Sequence, residues 1–176
     1  SLTINFKNLK SIPSDNLIII DTRSKFKYLL GHIPKAIHLG KWQDFTQNVK
    51  GVRGLLIKNP IFIVNKFNSY GIHPKKHIVL YGDPDDPWRT DGRFFWMFER
   101  FGFNKVTIYE GGLKNWKNSG EKLEFGQGSA LAKPLLTVKD IRLNDEVSAE
   151  QQWILERLNS KTIAIIDNRA RDEYLG

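Results

Sequence analysis

The chain alternates short, wholly apolar runs with longer stretches in which apolar residues recur every three or four positions, and this alternation predicts its architecture. Leu17 to Ile20 and His77 to Tyr81 are runs halted at once by Asp21-Thr22-Arg23 and Gly82-Asp83-Pro84. Such runs read as strands buried on both faces that empty into loops at their carboxyl ends. Lys105 to Tyr109 is another, and Ala36 to Leu39 a brief one, since Pro34 pushes His32-Ile33 towards extended geometry. Asn59-Pro60 supplies an N-cap and first-turn proline for a helix through Ile61, Val64, Phe67 and Asn68 to Gly71. Phe94, Met97, Phe98 and Phe101 form one helical stripe, with Asp91 as expected N-cap and Gly102 as stop. Phe95 and Trp96 lie off that stripe, which predicts a second covered face contributing to an interdomain surface. Gly111-Gly112 turns the chain into a helix ending near Trp116. Thr3 to Asn16 reads as a lead-in, and Trp42 to Lys58, with Gly51 and Gly54, as loop and weak helix. Strands alternating with helices predict an α/β fold: a doubly wound parallel sheet of about five strands, helices on both faces and right-handed crossovers.

Past Ser119 the pattern changes. Residues 121–147, with Gly126, Gly128 and Pro134 and little periodicity, read as an interdomain linker, because long structureless connections are uncommon inside compact domains. Residues 1–120 are then one domain. Ser148 with Gln151 is a capping box for a helix carrying Trp153, Ile154, Arg157 and Leu158, and Thr162 to Ile166 repeats the buried-strand pattern. Asp21, Arg23 and Tyr28 recur as Asp167, Arg169 and Tyr174, each 146 positions later and each set preceded by isoleucines. Residues 148–176 are therefore expected to be the beginning of a second copy, truncated at Gly176.

Three groups of residues carry a family resemblance: Asp21-Thr22-Arg23 with Tyr28; Gly31-His32-Ile33-Pro34-Lys35-Ala36; and a strand ending Val79-Leu80-Tyr81, a helix ending Phe101-Gly102-Phe103, another strand, then Gly111-Gly112 before Trp116. Together they resemble the rhodanese (sulfurtransferase) family over roughly Leu17 to Ser119 and again near the C-terminus, with Lys35 where glycine is usual. In active members of that family a cysteine follows the Val-x-Tyr strand and heads a short loop whose backbone N–H groups hold a persulfide. That position here is Gly82, and the chain holds no cysteine at all. The aromatic helix looks most like the first, non-catalytic half of the tandem thiosulfate and 3-mercaptopyruvate sulfurtransferases. The resemblance thus implies an inactive chain within a tandem enzyme that moves sulfane sulfur from a small anionic donor to a thiophilic acceptor. The persulfide-bearing cysteine would lie in a second rhodanese domain in cis, near position 228, and no cofactor would be needed. The alternative is a rhodanese-like module used for binding or regulation.

Composition narrows the chemistry further. Without cysteine, no thiol-based mechanism can run on this polypeptide. The 27 Lys and Arg outnumber the 19 Asp and Glu for a net charge of +8, but they are scattered without a block or a nucleic-acid module, so neither nucleic acid nor membrane is an expected partner. A cytoplasmic location is expected, a periplasmic one being left open. The loop Gly82 to Gly92 concentrates Asp83, Asp85, Asp86 and Asp91 against Arg89, a poor cradle for an anion. It lacks the glycine and distal glutamate of a calcium loop, and His32 and His38 have no partners at ligand spacing, so no metal is expected. Asp83, Trp88 and Arg89 are the candidates of a degenerate active loop. Asp21, Arg23, Asp167 and Arg169 are structural-motif residues, Asp21 expected to cap the next turn and Arg23 to pair with a carboxylate.

Overall fold

The computed structural model describes residues 1–128 and 136–176 and falls into two compact units, Ser1–Asn144 and Asp145–Gly176. The first unit runs β1 (Thr3–Ile4), α1 (Phe6–Ser11), β2 (Leu17–Asp21), α2 (Lys25–Leu29), β3 (Ile37–His38), β4 (Thr46–Val49), β5 (Val52–Leu56), α3 (Pro60–Tyr70), β6 (His77–Tyr81), α4 (Thr90–Arg100), β7 (Val106–Tyr109) and α5 (Gly112–Asn118). Five strands form a parallel sheet in the order β1-β7-β6-β2-β3, as the alternating pattern predicts. Its edge strand β1 comes out of the supposed lead-in: two residues are too few to show a period, and their register opposite Ile108 and Tyr109 is set by tertiary pairing.

Successive residues of β2 and β6 face opposite layers. Ile18, Ile20, Ile78 and Leu80 join Phe67, Phe94, Met97, Phe98 and Phe101 under α3 and α4, while Ile19, Val79 and Tyr81 join Leu9, Leu113 and Trp116 under α1 and α5. The sheet is thus covered on both sides, which is why its strands are continuously apolar. Asn59 caps α3 by accepting from the amides of Ile61 and Phe62, and Gly71 ends it at φ 70°. Phe95 and Trp96 are half-buried against the same core as the α4 stripe, beside Trp42, Phe62, Tyr70 and Ile141.

Two expectations for this unit need correction. Trp42 to Lys58 is not loop and weak helix: a short 3-10 turn (Trp42–Phe45) leads into the antiparallel hairpin β4–β5, whose reversal at Lys50 (φ 49°) and Gly51 (φ 83°) places two left-handed residues in succession, the geometry that matches strand twist. Lysine in such a turn gives no sequence signal, so the glycines read as loop. Asp91 is not the N-cap of α4; Arg89, at φ 43°, holds that place, and Asp91 is buried within the first turn.

Residues 121–128 and 136–144 belong to the first unit and are tied to its earlier elements. Glu124 pairs its backbone with His32 in an antiparallel bridge. Leu136 is buried, and its N–H and C=O bond the side chain of Asn68. The amides of Arg142 and Asn144 donate to the carbonyls of Phe101 and Arg100.

The second unit contains α6 (Gln151–Leu155) and α7 (Arg171–Leu175). Glu150, not Ser148, stands at the N-cap of α6. Thr162 to Ile166 forms no strand; Ile165 and Ile166 are exposed, since a buried-strand sequence without neighbouring strands has nothing to pair with. Among the described residues no helix is long and apolar enough to cross a membrane.

Candidate functional site

The strand order reverses between β2 and β6: the chain leaves β2 for β3 on one side, and β6 for β7 on the other. Open parallel sheets bind ligands outside the carboxyl ends of strands at such a switch point. Asp21 and Tyr81 are register partners at the ends of these two strands, so the Asp-Thr-Arg motif and the Gly82 loop meet there.

Asp21 is wholly buried, and its carboxylate accepts from the backbone N–H, Nε and Nη2 of Arg23 at 2.9, 3.0 and 2.6 Å and from the Tyr81 hydroxyl at 2.7 Å. Arg23 also donates to the Gly31 carbonyl at 2.7 Å, and the Tyr81 oxygen accepts from the amide of Ile33. Burial drives the Arg23 guanidinium downward, but the hydrogen bonds and charge of Asp21 outweigh it and the net shift is upward. This cation is neutralised in place and clamps two strand ends to the Gly31 turn. Asp21 does not cap α2; Ser24 does, through its hydroxyl and the Lys27 amide.

Gly82 opens the loop beyond β6. A Cβ built there would lie 3.0 Å from Thr22 Oγ1 and 3.4 Å from the Asp91 carboxyl carbon. Its carbonyl oxygen would lie 2.4 Å from a Cβ at Gly112, which at φ +53° must be glycine on both counts. Three of the loop's backbone amides, those of Trp88, Thr90 and Gly92, are taken by its own carboxylates, and those of Asp86 and Arg89 by its carbonyls. Asp86 accepts from the amides of Trp88 and Thr90 and from the Thr90 hydroxyl, and Asp91 accepts from the Gly92 amide and from Arg89 Nε and Nη2. For Asp86, burial raises the carboxyl pKa but these hydrogen bonds outweigh it and the net shift is downward. Asp83 is drawn to Lys27, whose hydrogen bond holds its carboxyl below the usual range. A cleft of about 240 Å³ over Gly82, Asp83 and Asp85 is flanked by Lys114 and Lys117.

The loop candidates therefore diverge: Asp83 points to α2, Arg89 folds back on Asp91, and Trp88 is 69% exposed with the Arg93 guanidinium over its ring at 5.6 Å. Asp167 and Arg169 lie in the second unit, joined by the same fork of hydrogen bonds as Asp21 and Arg23. Among the described residues no three His, Asp or Glu side chains converge as a metal site would require. Sequence reasoning missed a larger cavity of about 890 Å³ beside the ends of β2 and β3, lined by Lys41, Trp42, Tyr70, Trp88 and Arg93 among others. Its walls come from five separated segments, and no motif marks it.

Residues 6–119 match the rhodanese-like domain family. The chain is 28% identical over 165 residues to thiosulfate sulfurtransferase from Pseudomonas aeruginosa, covering 94% of this chain and 58% of that protein. It is 32% identical over 156 residues to thiosulfate sulfurtransferase from Rattus norvegicus, covering 88% of this chain and 50% of that protein. It spans about half the length of these curated relatives. In fold it is similar to the 3-mercaptopyruvate sulfotransferase SseA from Escherichia coli, with a TM-score of 0.80 at 23% identity over 99% of this chain and 68% of that one.

Proposed function

Since the chain belongs to the rhodanese-like family yet has glycine at position 82 and no thiol anywhere, we propose that it is the first, non-catalytic domain of a tandem sulfurtransferase of the thiosulfate or 3-mercaptopyruvate type. In that reading a cysteine thiolate of a second domain takes the outer sulfur from a small anionic donor, forming a persulfide and releasing the remainder of the donor. A thiophilic acceptor then removes the sulfur and regenerates the thiolate. The first domain keeps the fold and forms one wall of the cleft between the domains.

The observation that carries this reading is the recurrence of the Asp-x-Arg fork: the Arg23–Asp21 and Arg169–Asp167 bonds have the same donors and acceptors, and the helices that follow, Lys25–Leu29 and Arg171–Leu175, are both five residues long at the same offset of 146. An unrelated tail would have no reason to repeat both motif and helix. The half-length match to sulfurtransferase relatives supports it as well.

The test has two parts. Thiocyanate formation from thiosulfate and cyanide by this chain is expected to equal the blank, and Gly82→Cys is expected to leave it there. The new thiol would sit against the buried Asp91 carboxylate, which raises its pKa and repels an anionic donor. A thiolate absorbance titrating below about pH 7 in that variant would overturn this electrostatic argument. Sequencing the native polypeptide beyond Gly176 is expected to show a cysteine near position 228, heading a loop without the aspartate cluster. A native polypeptide lacking it would replace the enzyme reading with that of a binding or regulatory module.

A further inference from the structure

The 890 Å³ cavity lies wholly within the first unit and takes nothing from the Gly82 loop's own cleft beyond the shared Arg23. Its size is that of a pocket for an organic ligand, far more than an inorganic oxyanion fills. One wall is a preorganised aromatic platform. Trp42 is fixed from behind by an edge-to-face contact with Phe94 at 5.7 Å and a tilted contact with Trp96 at 6.4 Å, so its orientation is set before any ligand arrives. Tyr70 stands in the cavity, and Trp88, two-thirds exposed, stands at the rim.

The polar groups are unequal in sign. Lys25, Lys41, Arg93 and Arg23 line the cavity against a single carboxylate, Asp44. Arg23 is neutralised by Asp21, and the Arg93 guanidinium lies over the Trp88 ring and faces the charge of Asp86, but among the described residues Lys25 and Lys41 have no ion-pair partner. Asp44 is already used, its Oδ2 accepting from the Lys41 amide, which fixes the backbone that carries the Lys41 side chain. His38 also lines the cavity, its Nε2–H donating to the Arg23 carbonyl at 2.9 Å. The Tyr70 hydroxyl, which feels the charge of Asp44, makes no hydrogen bond among the described residues and can donate one. Aromatic faces, unspent cations and one donor hydroxyl together select a flat ring system bearing a negative charge.

From this arrangement we infer that the first unit carries its own binding site for a planar aromatic anion, in the cavity between Trp42, Trp88, Lys41 and Arg93. The site needs no thiol and does not rest on the tandem reading. It would give a cysteine-free rhodanese domain a ligand of its own.

The test is calorimetric titration of this chain with naphthalene-2-sulfonate, with neutral naphthalene-2-sulfonamide and with sodium sulfate. Saturable one-to-one binding of the sulfonate is expected, weakened at least about tenfold in Lys41→Ala/Arg93→Ala by loss of charge-assisted bonds. Trp88→Ala, a change at an exposed side chain, is expected to weaken it about threefold. The sulfonamide and sulfate are each expected to bind at least about tenfold more weakly, since each lacks one half of the recognition. In proton–nitrogen spectra of the unsubstituted chain, the indole N–H signals of Trp42 and Trp88 should shift with ligand while those of Trp116 and Trp153 stay in place, which locates the site even if a variant misfolds. Equal binding of sulfonate and sulfonamide, unchanged affinity in the double variant, shifts confined to the other indoles, or no binding at millimolar sulfonate would each overturn the inference.

Discussion

The two Asp-x-Arg forks have nearly the same geometry and opposite surroundings. In the first, Asp21 is wholly buried and the Arg23 side chain is 8% exposed; in the second, the side chains of Asp167 and Arg169 are 30% and 56% exposed. The fork is therefore a property of three consecutive residues: a carboxylate at one position accepts the amide and guanidinium of the residue two further on, whatever lies around it. What differs is the third party. Tyr81 on β6 donates to Asp21 and Gly31 accepts from Arg23, so the first fork ties together segments far apart in sequence. Among the described residues Asp167 and Arg169 have only each other, their bonds holding the carboxyl below and the guanidinium above their ordinary values. A motif can thus be written into the chain and formed locally, while its contribution to stability depends on neighbours that the motif does not encode.

The sharpest way to break the comparison is to remove each carboxylate charge. Asp21→Asn leaves Arg23 half-committed inside the domain and is expected to cost about 3–5 kcal/mol in urea unfolding, the range for breaking a buried pair. Asp167→Asn is expected to leave the unfolding midpoint within error, because solvent already screens that pair. Equal losses at the two sites would mean that the first fork is no more than a local turn.

Amide exchange sharpens the same contrast without mutation. Ile18, Ile19 and Ile20 lie in the buried ladder with β6, Ile20 also pairing with β3, whereas Ile165 and Ile166 lie in no ladder. The first set should exchange at least about a thousandfold more slowly, close to the global opening rate. Comparable rates would show that β2 opens locally.

These contrasts also mark what was legible in the sequence. The α4 stripe, the Asn59 cap with Pro60 and the β6 run could be read because each records its surroundings in its own periodicity or capping chemistry. Thr162 to Ile166 shows the limit: its apolar run states what the segment would need, and no partner strand among the described residues supplies it. The hairpin of Thr46 to Leu56 failed for the opposite reason, being exposed at most positions and turning on a lysine with positive φ. At the candidate site, Gly82 and the Asp-x-Arg motif could be read from the chain. The Asp86 carboxylate occupying the amides of Trp88 and Thr90, and the Trp42 cavity, depend on how the loop and the segments around it pack in three dimensions.

Alkaline pH probes the third party directly. Burial first, then the charge of Asp21 and the hydrogen bond to it, push the Tyr81 phenol well above its ordinary value, and burial raises Tyr28, Tyr70 and Tyr109 in the same direction. Folded pKa values above the unfolded value of about 10 mean that this stability is fully present below that pH and declines as pH rises past it. The unfolding free energy should therefore hold level to about pH 9 and fall above 10. Tyr81→Phe, which loses the bonds to Asp21 and from Ile33 at a cost of about 1–3 kcal/mol, should make the alkaline decline shallower. An unchanged slope in that variant would assign the decline to the other tyrosines.

The smallest effect expected concerns the turn that Arg23 holds through Gly31. Lys35 follows in that turn at φ 63°, a left-handed conformation in which an L side chain crowds its own carbonyl, and its amide donates to Glu124 Oε2 at 2.6 Å. Any residue but proline can make that bond, so the lysine side chain adds strain without adding the contact. Glycine adopts the conformation freely but loses more entropy on folding, which offsets part of the relief. Lys35→Gly is accordingly expected to stabilise the first unit by roughly 0.5–1 kcal/mol, read as a shift of the urea midpoint at constant slope. A destabilised variant would mean that the Lys35 side chain makes a favourable interaction that outweighs its backbone cost, and that the Gly31 to Ala36 turn is held as much from outside as by Arg23.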